Sequence, residues 1–184
     1  MVTVEDSFVS APRARVAQAV NYAASVNPRP KGPGNWRQLA QLYWYYAPQF
    51  GMDPLLPWAQ MLHETGFRAY GGAVDPYANN YAGIGATGGP NGGVSFRTPQ
   101  YGVLGHLVHL ASYIFTGPVN KYCTKRFDPR LAFWDGAPLL RHLVRAQPEM
   151  YQGRQLPERR WANPGDGYAA ALALKATNVQ NTSG

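Results

Sequence analysis

The sequence predicts a single, mainly α-helical domain whose helices are interrupted once by a long glycine-rich segment. A chain of 184 residues with 45% hydrophobic residues suits one domain with a sizeable core. Apolar residues recur at helical spacing over most of its length. Residues 68–97 hold too many glycines for a helix, so we expect a long loop or irregular hairpin there. Residues 1–10 and 178–184 are expected to be frayed ends or linker.

The helices are predicted from their first residues as well as from their periodicity. Proline suits the first turn of a helix, and Asn, Asp or Thr accepts hydrogen bonds from the unpaired N–H groups there. Pro12, Asn35 and Asp53 mark three such starts, and Thr98 and Asp166 mark two more. The predicted helices span residues 12–26, 36–50, 54–67, 100–115, 129–134, 138–146 and 167–178.

The balance of charge favours a polyanionic partner. There are 17 Lys and Arg against 10 Asp and Glu, a net charge of +7, which suits nucleic acid, a membrane surface or an anionic cell wall. No helix-turn-helix, zinc-finger or RNA-recognition pattern is present, so we do not expect nucleic-acid binding. No run of eighteen or so apolar residues predicts a membrane span. The N-terminal segment is acidic where a signal peptide is basic, so no secretion signal is expected.

Several familiar patterns lack the context that their chemistry requires. The hexapeptide at 83–88 matches G-x-G-x-x-G, but no predicted strand precedes it and no helix follows it. His63, His106 and His109 could bind zinc, but HETGF lacks the second histidine of H-E-x-x-H. We therefore expect core or boundary histidines, and neither a metal nor a cofactor. Cys123, the only cysteine, is expected to pack as a small apolar residue.

Glu64 is the carboxylate best suited to catalysis. Most of the ten acidic residues occupy helix starts, turns or polar stretches. Glu64 instead ends an otherwise apolar helix, so it lies either on the polar side of that helix or in a partly apolar cleft. In a cleft, the loss of solvation raises the pKa of a glutamate and makes it a general acid at neutral pH.

Four pieces of the chain form a recognisable series. Glu64-Thr65-Gly66 ends an apolar helix, and Asn79-Asn80-Tyr81 leads into Gly83-Ile84-Gly85. The segment 95–114 places a phenylalanine and a short turn before a long helix, and RWANPGDGYAAAL follows at 160–172. Together, over about residues 54–172, this series resembles the bacterial and phage glucosaminidases of glycoside hydrolase family 73, within the lysozyme-like superfamily.

The resemblance implies a fold and a set of roles. The fold would be α+β and lysozyme-like: a helical bundle around a central catalytic helix, with a small β-hairpin or the long glycine-rich loop walling a groove. Glu64 would protonate the departing glycosidic oxygen, Tyr168 would lie near the scissile bond, and Trp161 would pack beneath it. The residues expected to contact substrate or to shape the floor of the cleft are Asn79, Asn80, Tyr81, Trp161 and, among several aromatic residues suited to stacking on sugar rings, Tyr77.

One departure from the family leaves the mechanism open. Many relatives carry a second acidic residue downstream of the Asn-Asn pair, but no Asp or Glu occurs between Pro76 and Phe127. Asp75 is the only nearby candidate, and an Asp-Pro pair is also ordinary turn chemistry. Three routes remain: attack by the 2-acetamido group of the substrate, water positioned by Tyr, Asn or Asp75, and Glu64 acting first as acid and then as base.

These observations predict an endo-β-N-acetylglucosaminidase that hydrolyses peptidoglycan glycan strands, acts as a monomer and is attracted to the anionic cell wall. The alternatives are a muramidase or lytic transglycosylase on the same fold, and a non-catalytic wall-binding or phage structural module. A phage lysin released through a holin, a virion-associated lysin and a protein secreted from a longer precursor are the settings that we consider.

Overall fold

The computed structural model describes residues 1–86, 92–114, 139–144, 150–151, 154–155, 161–162 and 167–184. This part of the chain is mainly helical, which confirms the predicted fold class at that level. Cys123, Asp166 and the predicted helix 129–134 lie outside the described residues. The described elements are α1 (Val16–Val26), α2 (Trp36–Tyr46), a 3₁₀ helix (Ala47–Phe50), α3 (Leu55–Glu64), α4 (Pro99–Ile114), a second 3₁₀ helix (Leu140–Val144), the antiparallel strands β1 (Met150–Tyr151) and β2 (Arg154–Gln155), and α5 (Tyr168–Asn181).

Helix α3 lies at the centre of the domain. Every residue from Leu55 to Leu62 is buried, and α1, α2, α4 and α5 all pack against this helix. The Trp58 ring meets Trp36, Tyr43 and Trp44 edge to face, with ring centroids 5.8 to 6.1 Å apart. Such aromatic pairs stabilise a core beyond the area that they bury. Only the C-terminal end of α3 leaves this core.

Among the described residues, no helix is both long and apolar enough to cross a bilayer.

The helix boundaries agree with the predicted caps at three places, one of them Thr98, whose Oγ1 accepts from the Tyr101 N–H at 3.3 Å. The Asn35 side chain accepts a hydrogen bond from the backbone N–H of Gln38 at 2.9 Å. Asp53 Oδ1 does the same for Leu55 at 3.0 Å. These bonds satisfy N–H groups that have no partner within their own helix. By contrast, α1 begins four residues later than predicted, because Arg15 is still extended.

Both chain ends are packed, so the expectation of frayed termini is wrong. Phe8 is fully buried and Val2 nearly so, and the Val2 N–H donates to Thr177 Oγ1 at 2.8 Å. At the other end, α5 continues to Asn181, and Val179 is fully buried. The first segment is bonded to α5 through Val2 and to the segment before α3 through the Phe8 carbonyl, which accepts from the Asp53 N–H at 2.8 Å. Local sequence statistics cannot reveal such distant contacts.

Arg13 holds the N-terminal segment against the start of α3. Its Nε donates to Asp53 Oδ2 at 2.6 Å, and its Nη1 forms an ion pair with Asp6. Asp53 is fully buried. Burial raises the pKa of Asp6, but hydrogen bonds from Thr3 and the charge of Arg13 outweigh this effect, and the pKa lies below its ordinary value.

The glycine-rich segment is an irregular loop in its described parts, 68–86 and 92–97, with no strand there. Hydrogen bonds from Val94 N to Ile84 O and from Phe96 N to Ala78 O, both 2.8 Å, join its two arms. The loop lies directly on α4. A Cβ at Gly102 would fall 2.0 Å from the carbonyl oxygen of Asn79. Glycine in α4 therefore permits the loop to approach the helix backbone.

We expect Arg13→Met to lower the free energy of unfolding by about 3 kcal/mol, because it leaves the buried carboxylate of Asp53 without its charged partner. Urea denaturation at neutral pH measures this loss. Arg37→Met, at an exposed site on α2, is the matched control and is expected to change stability little. Equal effects of the two variants would contradict this role for Arg13.

We expect Gly102→Ala to destabilise the domain by about 1 to 3 kcal/mol, since the added methyl group meets backbone that must shift. Gly72→Ala is the matched control within the loop, where an added Cβ meets nothing within 4 Å. Thermal unfolding of both variants tests the contact, and an unchanged midpoint for Gly102→Ala would show that the loop does not press on α4.

Candidate active site

Glu64 is the last residue of α3 and lies where the chain turns sharply out of the core. Thr65 Oγ1 donates to the carbonyl of Met61 at 2.8 Å and accepts from the N–H of Arg68 at 3.0 Å. Gly66 then adopts a positive φ of 54°. This turn ends the helix, so the side chain of Glu64 is half-buried at the edge of a groove while its neighbours toward the N-terminus are enclosed.

One oxygen of the Glu64 carboxyl group is held by two donors. Trp161 Nε1 donates to Oε1 at 2.7 Å, and the Tyr168 hydroxyl donates to the same oxygen at 2.5 Å. The other oxygen, Oε2, faces Gly83, where an added Cβ would lie 3.9 Å away. Because the donors share Oε1, Oε2 is the oxygen directed toward the groove.

Opposing effects set the ionisation of Glu64. Burial raises the pKa of its carboxyl group, whereas the hydrogen bonds from Tyr168 and Trp161 lower it, and the pKa stays above its ordinary value. The carbonyl end of α3 acts in the same direction as burial, because a helix C-terminus disfavours an anion. Glu64 therefore keeps its proton to a higher pH than an exposed glutamate does.

The groove beside Glu64 has a volume of about 480 Å³ and two dissimilar walls. One wall is aromatic: the Trp161 ring packs on His109 and Tyr113, with centroids 4.9 and 5.3 Å apart. The opposite wall is the glycine-rich loop, which presents small side chains and backbone. The lining residues are Glu64, Val74, Ala82, Gly83, Ile84, Gly85, Ala86, His109, Tyr113, Trp161, Ala162 and Tyr168.

Asn80 holds the loop wall in shape. Its Nδ2 donates to the carbonyls of Ile84 and Val94 at 2.9 and 3.0 Å, and its Oδ1 accepts from the Ile84 N–H at 2.9 Å. Asn79, with a φ of 52°, donates to the carbonyl of Phe96 at 2.9 Å.

The predicted substrate contacts of three loop residues do not agree with these positions. Asn79, Asn80 and Tyr81 are buried, and their polar side-chain atoms bond within the protein; the Tyr81 hydroxyl, for example, donates to Asn79 Oδ1 at 3.3 Å. They shape the wall of the groove and do not line it.

Asp75 and Tyr77 lie outside the groove. Both are exposed, and Asp75 Oδ1 accepts a hydrogen bond from the Tyr77 N–H at 2.9 Å, as in an ordinary turn. Their predicted roles as second catalytic group and substrate contact therefore have no geometric support. Among the described groove residues, Glu64 is the sole carboxylate. The structure brings Glu64 together with Trp161 and Tyr168, which lie 97 and 104 residues further along the chain.

A chain of buried polar side chains extends from Tyr168 into the core. Gln60 Nε2 donates to the Tyr168 hydroxyl at 2.9 Å, and Gln60 Oε1 lies 3.0 Å from His106 Nε2. His106 Nδ1 lies 2.7 Å from the Tyr43 hydroxyl. Burial lowers the pKa of His106 to about 3, and His109 acts in the same direction. His106 is thus a neutral core histidine, as predicted.

The link from His106 to Glu64 was not predicted from the sequence. Its one sequence signal is the position of Gln60, an amide within an apolar helix and four residues before Glu64, hence on the same helical face. In the described part of the chain, no three His, Cys, Asp or Glu residues cluster as metal ligands. His63 Nδ1 is 3.3 Å from Lys175 Nζ.

No protein-family model, curated protein or solved structure matches this chain. The activity proposed for it therefore depends on the geometry around Glu64 and on the resemblance of the four motifs.

We expect Glu64→Gln to be more stable than the wild type at about pH 8 and similar to it near pH 4. The folded-state pKa of Glu64 is raised, so its stabilising contribution is full below the unfolded-state pKa and is lost as the pH rises through the folded-state pKa. Glutamine has no such loss. Urea denaturation across this range measures the difference.

The matched control for this experiment is Glu5→Gln. The Glu5 side chain is 62% exposed, so its replacement is expected to show little of this pH dependence. A Glu64→Gln variant that is less stable than the wild type at high pH would show that the folded protein does not disfavour the ionised form of Glu64.

Proposed function

We propose that this chain is a lysozyme-like peptidoglycan hydrolase that cleaves β-1,4 glycosidic bonds, as an endo-β-N-acetylglucosaminidase, with Glu64 as general acid. The observation that carries the proposal is a carboxyl group of raised pKa at the edge of a groove, with one oxygen anchored and the other facing the groove. A protonated carboxylic acid in that position can donate its proton to a departing glycosidic oxygen.

The two donors on Oε1 support the second half of such a proton transfer. Burial favours the protonated acid before bond cleavage, and the carboxylate that remains afterwards accepts hydrogen bonds from Trp161 and Tyr168. The same pair fixes the direction of the carboxyl group, so Oε2 is the proton-carrying oxygen on the groove side. Orienting the acid in this way avoids the entropic cost of ordering it at each turnover.

The groove itself suits a glycan of N-acetylated sugars. The aromatic wall of Trp161, Tyr113 and His109 offers apolar faces to sugar rings. The opposite wall offers backbone N–H and carbonyl groups around Gly83 and Gly85, which can bond hydroxyl and acetamido groups. The net charge of +7 attracts the protein to an anionic cell wall. This activity fits a phage lysin.

The routes that need no second carboxylate are favoured. Asp75 is exposed and engaged in a turn, and the described groove residues include no acid besides Glu64. Hydrolysis would then use the 2-acetamido group of the substrate as the nucleophile, whereas Glu64 acting as acid and then base would give the anhydro product of a lytic transglycosylase. We favour hydrolysis.

Digestion of purified peptidoglycan by the wild type, followed by borohydride reduction, is expected to yield reduced glucosamine at the new ends. Glu64→Gln is expected to lower the rate by about 100-fold or more, because general acid catalysis contributes at least that much. Mass spectrometry of the fragments identifies the reduced sugar and so the bond that is cleaved.

Asp75→Asn is the matched control, since it neutralises a nearby but exposed carboxylate and is expected to retain activity. Reduced muramic acid or anhydromuramic ends that disappear in Glu64→Gln would reassign the enzyme as a muramidase or a transglycosylase. If neither the wild type nor Glu64→Gln releases fragments, the proposed enzymatic activity is contradicted and the second candidate is favoured, a non-catalytic wall-binding or phage structural module. The lack of a second carboxylate in the described groove also favours that module.

A further inference from the structure

The buried hydrogen bonds behind Glu64 all run in one direction. The Gln60 amide nitrogen donates to the Tyr168 oxygen, so the hydroxyl proton of Tyr168 is available to Glu64 Oε1. The Gln60 carbonyl oxygen is an acceptor, and its partner His106 Nε2 must therefore carry the ring proton. His106 Nδ1 is then an acceptor and takes the proton of the Tyr43 hydroxyl. Each donor thus points toward Glu64.

The orientation of the Gln60 amide controls this direction. If the amide were turned over, its carbonyl oxygen would face Tyr168 and take the hydroxyl proton, and Glu64 would lose one of its two donors. With the Nε2–H tautomer of His106, a turned-over amide would set its NH₂ group against that N–H, so this tautomer and this amide orientation belong together. Hydrogen bonds in such a chain polarise one another in a low-dielectric interior, so the Tyr168 hydroxyl becomes a stronger donor.

We propose that Gln60 and His106 are positioning residues, which orient the Tyr168 hydroxyl so that it donates to the carboxylate form of Glu64. This inference rests on the proposed function, in which Glu64 is the general acid. The pKa of Glu64, which the inference concerns, can nevertheless be measured whether or not the protein has the proposed activity.

Gln60 and His106 occupy core positions at which apolar residues are the usual choice. Gln60 and His106 are both fully buried, on facing helices α3 and α4. Placing polar groups in a core costs free energy unless each is hydrogen-bonded, and apolar residues of the same volume pack there without that cost. His106 stays neutral above about pH 3. The hydrogen bonds behind Glu64 therefore keep the same donors and acceptors over the pH range in which Glu64 titrates.

The other titratable groups near Glu64 come from three elements. On α3, His63 packs its ring against Tyr168 with centroids 4.9 Å apart, and on α5 Lys175 Nζ lies 3.3 Å from His63 Nδ1. Burial and Lys175 lower the pKa of His63. On α4, His109 and Tyr113 line the groove. None of these four groups bonds to Gln60 in the described hydrogen bonds, so replacing Gln60 leaves them in place.

The test is a carbon NMR titration of the Glu64 carboxyl group in the full chain, with glutamate labelled and the Glu64 signal assigned by its loss in Glu64→Gln. The chain has four glutamates, which keeps the spectrum simple. We expect the pKa of Glu64 to shift upward in Gln60→Met and in His106→Leu, because the carboxylate loses a polarised donor. His106→Gln, which restores an N–H near the Nε2 position, is expected to reverse most of the shift.

Gln18→Met is the matched control, because it makes the same chemical change at a distance from the groove. The Gln18 amide donates to the carbonyls of Gln180 and Thr182 at 2.8 and 3.2 Å. This variant is expected to lose some stability but to leave the Glu64 titration unchanged. In an active enzyme, the alkaline limb of the lytic pH profile is expected to move upward with the Glu64 pKa in Gln60→Met and to stay in place in Gln18→Met.

An unchanged Glu64 titration in folded Gln60→Met overturns the inference, even if the wild type digests peptidoglycan. An upward shift in a protein that does not digest peptidoglycan supports the role of the hydrogen-bonded residues behind Glu64 and contradicts the proposed function. If Gln60→Met and His106→Leu both fail to fold, Tyr43→Phe decides, since it removes one hydroxyl group at the far end of the chain. An upward shift in that variant supports the inference, and no shift overturns it.

Discussion

Desolvation of one carboxyl group at the end of a central helix is the constraint on which the site depends. Helix α3 is enclosed along its length, so its last residue, Glu64, is the point at which the core meets the groove. Burial there favours the protonated acid, and the two donors on Oε1 stabilise the anion. A carboxyl group balanced between these effects can give up a proton and recover it at modest cost.

The groove follows from the way in which distant segments meet this helix end. Trp161 and Tyr168 approach Glu64 from one side. From the other side comes the loop, which Asn80 holds in shape and which Gly102 allows to lie against α4. The same contacts that position the walls also bury apolar surface, so the shape of the site and the stability of the domain are coupled.

Local chemistry was predictable where a residue acts on its own neighbours. Asn35 and Asp53 accept hydrogen bonds from N–H groups two or three residues away, so the sequence predicts both caps. Asp75 likewise accepts a hydrogen bond from the N–H of Tyr77, two residues further on, as expected for an Asp-Pro pair in a turn. The burial of Phe8 was not predictable in this way, because the surface that covers it is formed by residues far along the chain.

The sequence by itself determined that the chain is mainly helical and that Glu64 ends an apolar helix, because both depend on periodicity and composition within a few turns. Only the tertiary structure decided which groups surround that carboxyl group. Asn79 and Asn80 are buried behind the wall, while Gln60 and His106 form a hydrogen-bonded chain that ends at Glu64. Side chains separated by 46 to 108 residues meet there, and packing of the whole domain, which no local pattern encodes, sets which of them lie within hydrogen-bonding distance.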